Sequence, residues 1–225
     1  MHKIDIPQFV IERVTARRGG LTLFKEVEGP KTALVVIDLQ NAFMLPGMPG
    51  EIPFAREIVP NVNKLADAVR GKGGKVVWVQ MTLEDEGPDR WSVYLHYMSG
   101  PEFRAAELAA LGRGSHGHDL YKDLDVRDGD FVLEKSRFSA FIQGSSDLDK
   151  RLREAGIDTV IVTGAVTNTC CESTARDAMM LNYKTVFVAD GNACRTDEEH
   201  NTTLTNILRI FGDVASTTDI IARLK

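Results

Sequence analysis

The chain has 225 residues, of which 43% are hydrophobic, and carries a formal net charge of −5. This is enough apolar material for one domain with a full core. Since Lys and Arg never cluster beyond a pair, we expect no surface for nucleic acid or for an anionic membrane. The sequence has neither an apolar run of about 20 residues nor a signal-type leader, so we expect a cytoplasmic protein that binds small molecules.

Cysteine and histidine usage predicts neither disulfides nor a metal. Two of the three cysteines are adjacent, and the five histidines form no HxxxH pattern. His116 and His118 lie in a Gly/Ser-rich stretch, GRGSHGHD, where we expect solvated polar side chains. We therefore predict no metal site and no cofactor.

In chain order, residues 1–30 mix charged and apolar side chains, with a turn at 17–20, and are predicted to form an N-terminal arm packed on the domain or on a neighbouring subunit. Residues 31–225 are predicted to form the domain. Its first strand is the β-branched run ALVVID at 33–38, of the kind that lies buried in a parallel sheet. Four similar runs follow, at 75–80, 131–133, 159–162 and 185–188.

Helix-period segments lie between or after these runs, at 59–70, 146–155, 170–181 and 198–210. A sixth short strand at 213–215 and a helix capped by Ser216 complete the pattern. This alternation predicts an α/β, three-layer doubly wound fold, with a six-stranded, mainly parallel sheet and helices on both faces.

Residues 82–130 interrupt this alternation of strands and helices. They are predicted to form a long loop insertion with only short segments of helical pattern. It is rich in aromatic side chains, among them Trp91, Tyr94, Tyr97 and Phe103. Two interpretations stand equally: a lid or pocket wall over the strand ends, or an excursion that seals the sheet edge or contacts another subunit.

The segment 160–178, VIVTGAVTNTCCESTARDA, places a cysteine pair where a helix begins after a buried strand. A helix N-terminus favours a thiolate and offers N–H donors to an oxyanion, so Cys170 is a candidate nucleophile. From position alone, a small buried hydrophobic side chain is the commoner role for such a cysteine. Cys171 is rotated by about 100° from Cys170 and is predicted to be structural.

Two further reactive side chains follow strands that end at the same edge of the sheet. Asp38 closes the first strand, and Lys135 follows the third. Ligands of open parallel sheets lie beyond the carboxyl ends of the strands, so we expect Asp38, Lys135 and Cys170 to form one site.

These residues stand in three motifs, ALVVIDLQNAF, EKSRFSAF and GAVTNTCCEST, spread over residues 33–193. The motifs and their order resemble the isochorismatase-like cysteine hydrolases. The resemblance implies that Cys170 attacks an amide carbonyl, that Asp38 accepts and returns the proton, and that Lys135 lowers the pKa of the thiol and keeps Asp38 ionised. It also implies an oxyanion hole formed by the N–H groups of Cys170 and Val166, the latter across a cis Ala165–Val166 bond.

The resemblance narrows the range of expected substrates. The chain lacks the D-x-H…H segment after the second strand that metal-dependent nicotinamidases carry, and siderophore-type isochorismatases lack the nucleophilic cysteine. The motifs look closest to the metal-free ureidoacrylate and biuret-type amidohydrolases, which act through a thioester and release ammonia or an amine. Phe43, Met81 and Phe138 depart from the tyrosine, polar residue and tyrosine usual in ureidoacrylate hydrolases.

Seven residues near the motifs are candidates for the substrate pocket, namely Asn41, Phe43, Gln80, Met81, Arg137, Phe138 and Phe141. Arg137 either binds a substrate carboxylate or anchors its loop, and Gln80 either faces the pocket or caps the sheet edge.

Other functions remain open: hydrolysis of another small amide, such as an N-carbamoyl amino acid, maleamate or nicotinamide, or a thiol redox or binding protein on the same fold. We expect a homodimer or homotetramer.

Overall fold

The computed structural model describes residues 1–87 and 90–225. Its sheet has six strands in the order β3-β2-β1-β4-β5-β6, and all five pairings between them are parallel. The strands are β1 Thr32–Ile37, β2 Lys75–Met81, β3 Phe131–Lys135, β4 Thr159–Ala165, β5 Lys184–Ala193 and β6 Asp213–Ala215. The predicted strands and the parallel sheet are confirmed.

Helices cover both faces of this sheet. They are α1 Gln8–Arg18, α2 Asn41–Met44, α3 Val59–Gly71, α4 Pro101–Leu111, α5 Leu148–Glu154, α6 Glu172–Met180, α7 Asp197–Asn206 and α8 Thr217–Arg223, with π-helical turns at Tyr94–Met98, Thr167–Cys171 and Ile207–Phe211. Alternate residues of β1 point to opposite sides, so Leu34 packs in the core with α3 and α8, and Val35 in the core with α5, α6 and α7. The predicted three-layer α/β fold is confirmed.

The helix starts follow the local capping chemistry. Ser216 precedes α8 and accepts the N–H of Asp219, which confirms the predicted cap. Thr196 does the same for Glu199 at the start of α7, and the Glu199 side chain accepts a hydrogen bond from the Thr196 hydroxyl. These two caps set the residues at which α7 and α8 begin.

The N-terminal segment packs on the rest of the same chain. Val10 and Val14 of α1 lie against Leu208, and the N–H groups of Leu23 and Phe24 donate to the Asp213 carboxylate. The division into an arm at 1–30 and a domain at 31–225 stays a prediction. Within the described residues, no helix has the length and apolarity needed to cross a bilayer.

The segment 82–130 differs from its prediction at two places. It contains the 11-residue helix α4, whose sequence PEFRAAELAAL combines proline at the first position with strong helix formers. His118 is buried rather than solvated. Its Nε2 lies 2.8 Å from Thr82 Oγ1 at the end of the neighbouring strand, so the buried ring has a polar partner. His116 is exposed, as expected.

Candidate active site

Three strand ends bring Asp38, Lys135 and Cys170 together. Asp38 follows β1, whose last residue pairs with β2 on one side and β4 on the other. Lys135 is the last residue of β3, opposite Met81 of β2. Cys170 lies in the π-helical turn that follows β4 and continues into α6. The convergence expected from the parallel sheet is therefore present.

The backbone at Asp38 turns the side chain into this edge. Its φ is 53°, in the left-handed region, where Asp and Asn are the commonest residues after Gly. Its N–H still donates to Val79 O at 2.9 Å, so the residue remains tied to β2. The Asp38 side chain is fully buried.

The Lys135 ammonium contacts both other members of the site. Its Nζ lies 2.8 Å from Asp38 Oδ2 and 3.5 Å from Cys170 Sγ. It also donates to the carbonyl of Arg137 at 3.1 Å and contacts Met81 Sδ at 3.3 Å. Asp38 and Lys135 form a buried ion pair, since neither side chain is exposed.

Burial governs the protonation of Cys170. Burial, and then the Asp38 carboxylate, raise the pKa of the thiol, and Lys135 opposes them less strongly. Burial also raises the pKa of Asp38, against the attraction of Lys135. The expectation that Lys135 brings the Cys170 pKa below its ordinary value is therefore corrected. The Cys170 sulfur and the Asp38 carboxylate are within hydrogen-bonding reach of each other, so Asp38 can accept the thiol proton.

The turn around Cys170 separates the two cysteines. Cys170 lines a cavity, whereas Cys171 is completely buried in the core beside α6. The Ala165–Val166 peptide bond is cis, as expected. The N–H groups of Thr169 and Cys171 both donate to the Val166 carbonyl, at 3.0 and 3.2 Å. The Cys170 N–H lies between them in this first turn.

The cavity above Cys170 has a volume of about 290 Å³. Three of the expected pocket residues line it, Phe43, Met81 and Phe138. The segment 82–130 supplies much of the remaining wall, through Leu83, Tyr94, Phe103, Glu107 and Leu111. Of the two interpretations of that segment, the geometry matches the pocket wall.

Four expected pocket residues lie outside this lining. Asn41 donates to the carbonyl of His116 at 2.9 Å, and Gln80 to that of His118 at 2.7 Å, so both hold the loop behind the wall. Phe141 is buried in the core. Arg137 lies over the Trp91 ring, 5.4 Å from its centroid, in a neighbouring cavity.

The sequence did not single out five polar residues of the lining, namely Glu107, Asn168, Thr169, Arg195 and Glu199. Tyr94 donates to Glu107 at 2.6 Å, and burial, followed by this carboxylate, raises the pKa of Tyr94. Arg195 and Glu199 come from the connection between β5 and α7. The strand-end rule would have identified Arg195 had β5 been predicted to continue to Ala193.

Similarity to known proteins agrees with this geometry. Residues 32–219 match the isochorismatase domain family. The chain belongs to the isochorismatase family. Another family member, the ureidoacrylate amidohydrolase RutB of Caulobacter vibrioides, is 34% identical over 209 residues, which cover 86% of this chain and 91% of RutB.

Two solved structures extend the comparison. A cysteine hydrolase from Pseudomonas syringae superposes with a TM-score of 0.78 at 28% identity, covering 88% of this chain and 93% of that one. N-carbamoylsarcosine amidase from Thermoplasma acidophilum has a TM-score of 0.67 at 28% identity, covering 83% and 96%. The predicted resemblance and the hydrolase class are confirmed by this family membership.

Proposed function

We propose that this isochorismatase-family hydrolase is a cysteine-dependent amidohydrolase, which cleaves a linear C–N amide bond of a small ureido or carbamoyl compound. The carrying observation is the contact of one buried ammonium, Lys135 Nζ, with both Asp38 Oδ2 and Cys170 Sγ, beside a cavity that Cys170 lines. The names of two relatives, a ureidoacrylate amidohydrolase and an N-carbamoylsarcosine amidase, support amide hydrolysis.

In the proposed first step, Cys170 Sγ attacks the amide carbonyl while its proton passes to Asp38. The raised pKa of the thiol, caused by burial and by Asp38, makes proton removal at the moment of attack necessary. Lys135 keeps its positive charge beside the carboxylate and the sulfur, and so stabilises the thiolate as it forms.

The tetrahedral intermediate carries a negative oxygen, for which we propose the N–H groups of Val166 and Cys170 as donors. Both residues line the cavity, and the Cys170 N–H belongs to the first turn of a helix. Asp38 then returns the proton to the nitrogen, which leaves as ammonia or an amine. Water, deprotonated by Asp38, hydrolyses the remaining thioester and restores the thiol.

Arg195 is the basis for choosing a compact acid over a neutral urea. Most of the wall is apolar, and Arg195 is the only cation among the described residues that line the cavity, together with the carboxylates of Glu107 and Glu199. In this proposal the exposed Arg195 side chain holds a substrate carboxylate while the carbamoyl end reaches Cys170. We therefore propose a carboxylated ureido or N-carbamoyl substrate, in preference to biuret or triuret.

The test is release of ammonia by chelator-treated protein from ureidoacrylate, N-carbamoyl amino acids, biuret, triuret, maleamate and nicotinamide. We expect turnover of a carboxylated ureido or carbamoyl compound that disappears in Cys170→Ala and persists in Cys171→Ala. Substantial turnover by Cys170→Ala would refute the nucleophile. Preference for biuret or triuret would refute the proposed substrate class alone.

The same assay separates hydrolysis from a thiol redox function. If the protein had a redox function, iodoacetamide would alkylate Cys170, yet the protein would release no ammonia from any compound of the panel. The Cys170 side chain is only 5% exposed, and the pKa of its thiol is raised; both observations disfavour that function, because redox-sensing cysteines are accessible and of low pKa.

We also propose that the protein forms a homodimer or homotetramer. The contact surface consists of the turn Tyr94–Met98 and the preceding residue, Val93. Val93, Tyr97 and Met98 are 61%, 83% and 74% exposed, an unusual density of apolar surface. Light scattering after gel filtration tests this proposal. A Tyr97→Asp, Met98→Asp variant with the same oligomer mass as the parent protein would refute the role of this surface in subunit contact.

A further inference from the structure

A second cavity, with a volume of about 330 Å³, lies between helix α1, helix α6 and the π-helical turn Ile207–Phe211. Four arginines line it, namely Arg13 and Arg17 of α1, Arg176 of α6 and Arg209 of the turn. Within the described residues, its lining contains no Asp or Glu and shares no residue with the cavity above Cys170. Because the arginines come from three separate segments, no local run of the sequence shows this cluster.

Three of these guanidinium groups have no counter-charge from the protein. Across residues 1–87 and 90–225, no carboxylate forms an ion pair with Arg13, Arg17 or Arg209. Arg176 differs, since its Nε donates to Glu172 Oε1 at 3.0 Å. The chain as a whole carries a net charge of −5, so the second cavity is a local reversal of charge that attracts anions.

Helix α1 contributes two like charges to this cavity. Arg13 and Arg17 are four residues apart, and therefore lie on one side of the helix, a turn from each other. Val14, between them in sequence, packs against Leu208 and fixes α1 beside the turn that carries Arg209. Like charges at this spacing repel each other and destabilise a helix. An anion bound among the arginines would remove that repulsion.

The chemistry of the lining fits phosphoryl oxygens. A guanidinium group is planar and donates paired N–H groups, which match phosphate oxygens two at a time. Arg176 is held in place by Glu172 and by the Phe211 ring, whose centroid lies 4.2 Å from the guanidinium carbon. A single phosphate group carries about two negative charges at neutral pH, fewer than the three unpaired arginines supply. A diphosphate carries more charge and offers oxygens on two phosphorus atoms.

We propose that the second cavity binds a small anion with a diphosphate group. The guanidinium groups of Arg13, Arg17 and Arg209 pair with its oxygens, and Arg176 forms part of the wall. Because the ligand contacts α1, α6 and the turn together, it fastens the N-terminal helix to the helices on this face of the sheet. The site is independent of the hydrolysis proposed for Cys170, since the two cavities have separate linings.

Titration calorimetry tests the site without reference to activity. The full chain, free of its purification tag and in chelator-containing buffer without phosphate, is titrated with inorganic pyrophosphate and separately with adenosine diphosphate. We expect one equivalent per chain, a Kd that rises with salt, and a higher melting temperature for the complex. Binding of either compound supports the proposal, and the tighter of the two shows whether the diphosphate is free or carried by an organic group.

Arg13→Gln and Arg209→Gln change exposed side chains, so both variants should fold. Each should raise the Kd for pyrophosphate by about tenfold or more, the loss expected for a charge-assisted hydrogen bond. Lys64→Gln removes the same charge from α3 on the opposite face of the sheet, and should change the Kd by less than about twofold.

Two results would overturn the proposal. If the parent protein did not bind either diphosphate compound, or if Arg13→Gln and Arg209→Gln bound pyrophosphate as tightly as Lys64→Gln, the cavity would not be the site. If citrate, a tricarboxylate, bound as tightly as pyrophosphate, the arginines would recognise negative charge alone and the diphosphate class would be wrong.

Discussion

Lys135 Nζ lies 2.8 Å from Asp38 Oδ2, and neither side chain has any exposed surface. Each charge is stable in the interior only because the other is present, since an unpaired buried ion costs several kcal/mol. Cys170 Sγ is 3.5 Å from the same nitrogen. The ion pair thus links the stability of the protein to the proposed chemistry of the thiol.

Replacing Lys135 by Met should reduce the free energy of unfolding by about 3–5 kcal/mol, because Asp38 loses its counter-charge. Without the ammonium, burial raises the pKa of Asp38 further. The folded state then binds a proton more tightly than the unfolded state, so stability should fall as the pH rises from about 4. Urea unfolding at pH 5 and pH 8 measures this.

The double variant Asp38→Asn, Lys135→Met is the matched control, because Asn keeps the left-handed backbone and removes the charge that Lys135→Met leaves unpaired. It should recover most of the lost stability and show no such pH dependence. A single variant as stable as the parent at pH 8 would contradict the buried ion pair.

Asp38→Asn should separate thiol reactivity from turnover. Asn tolerates the left-handed backbone at this position, so the expected loss of stability comes from the Lys135 ammonium, which loses its carboxylate partner. Loss of the carboxylate removes a charge that raises the Cys170 pKa, so alkylation by iodoacetamide at fixed pH should become faster. Loss of the proton acceptor should lower kcat by about 10²–10⁴.

Peptide mapping by mass spectrometry identifies which cysteine is alkylated in that experiment, with buried Cys171 as the internal comparison. An Asp38→Asn protein that keeps its turnover would exclude Asp38 as the base. Slower alkylation than in the parent would show that Asp38 lowers, rather than raises, the thiol pKa.

Gly164→Ala should destabilise the protein by about 2–4 kcal/mol. Gly164 has a φ of 126°, and an added Cβ would collide with the backbone of Ile37 on the neighbouring strand, next to Asp38. Gly20→Ala is the control, because nothing lies within 4 Å of its added Cβ, and its effect should stay within about 0.5 kcal/mol. Equal melting temperatures for the two variants would refute the close approach of Gly164 to the backbone of Ile37.

Arg195→Gln should raise KM at least tenfold for carboxylated substrates and change KM little for neutral amides. Arg137→Gln serves as the comparison, since Arg137 contacts Trp91 outside the cavity lining. Steady-state kinetics on matched acid and amide pairs measures both. If Arg137→Gln gave the larger effect on acids, Arg137 rather than Arg195 would be the residue that binds the substrate carboxylate.

The sheet and the three reactive residues were predictable because they follow from simple periodicity. Continuous β-branched runs such as that of β1 are buried on both faces, and parallel strands present their carboxyl ends at one edge. The site wall was not predictable in the same way. Helix α4 and residues Tyr94 and Glu107 contact the cavity through long-range packing, which no local spacing records.

Protonation was also beyond the sequence. The motif places a lysine near Cys170, but whether the thiol pKa rises or falls depends on how deeply the thiol is buried and on the Asp38 carboxylate beside it. Similarly, Asn41 and Gln80 are polar residues near the strand ends, and only the fold shows that they bind main-chain carbonyls instead of facing the cavity.

These last two contacts have a consequence for how new specificities arise. Asn41 and Gln80 recognise the carbonyl oxygens of residues 116 and 118, which every amino acid possesses. The anchoring points that follow the stretch between Leu83 and Ser115 therefore do not depend on which side chains stand at positions 116 and 118. Natural divergence and deliberate grafting would both act there, leaving the reactive core of the enzyme untouched.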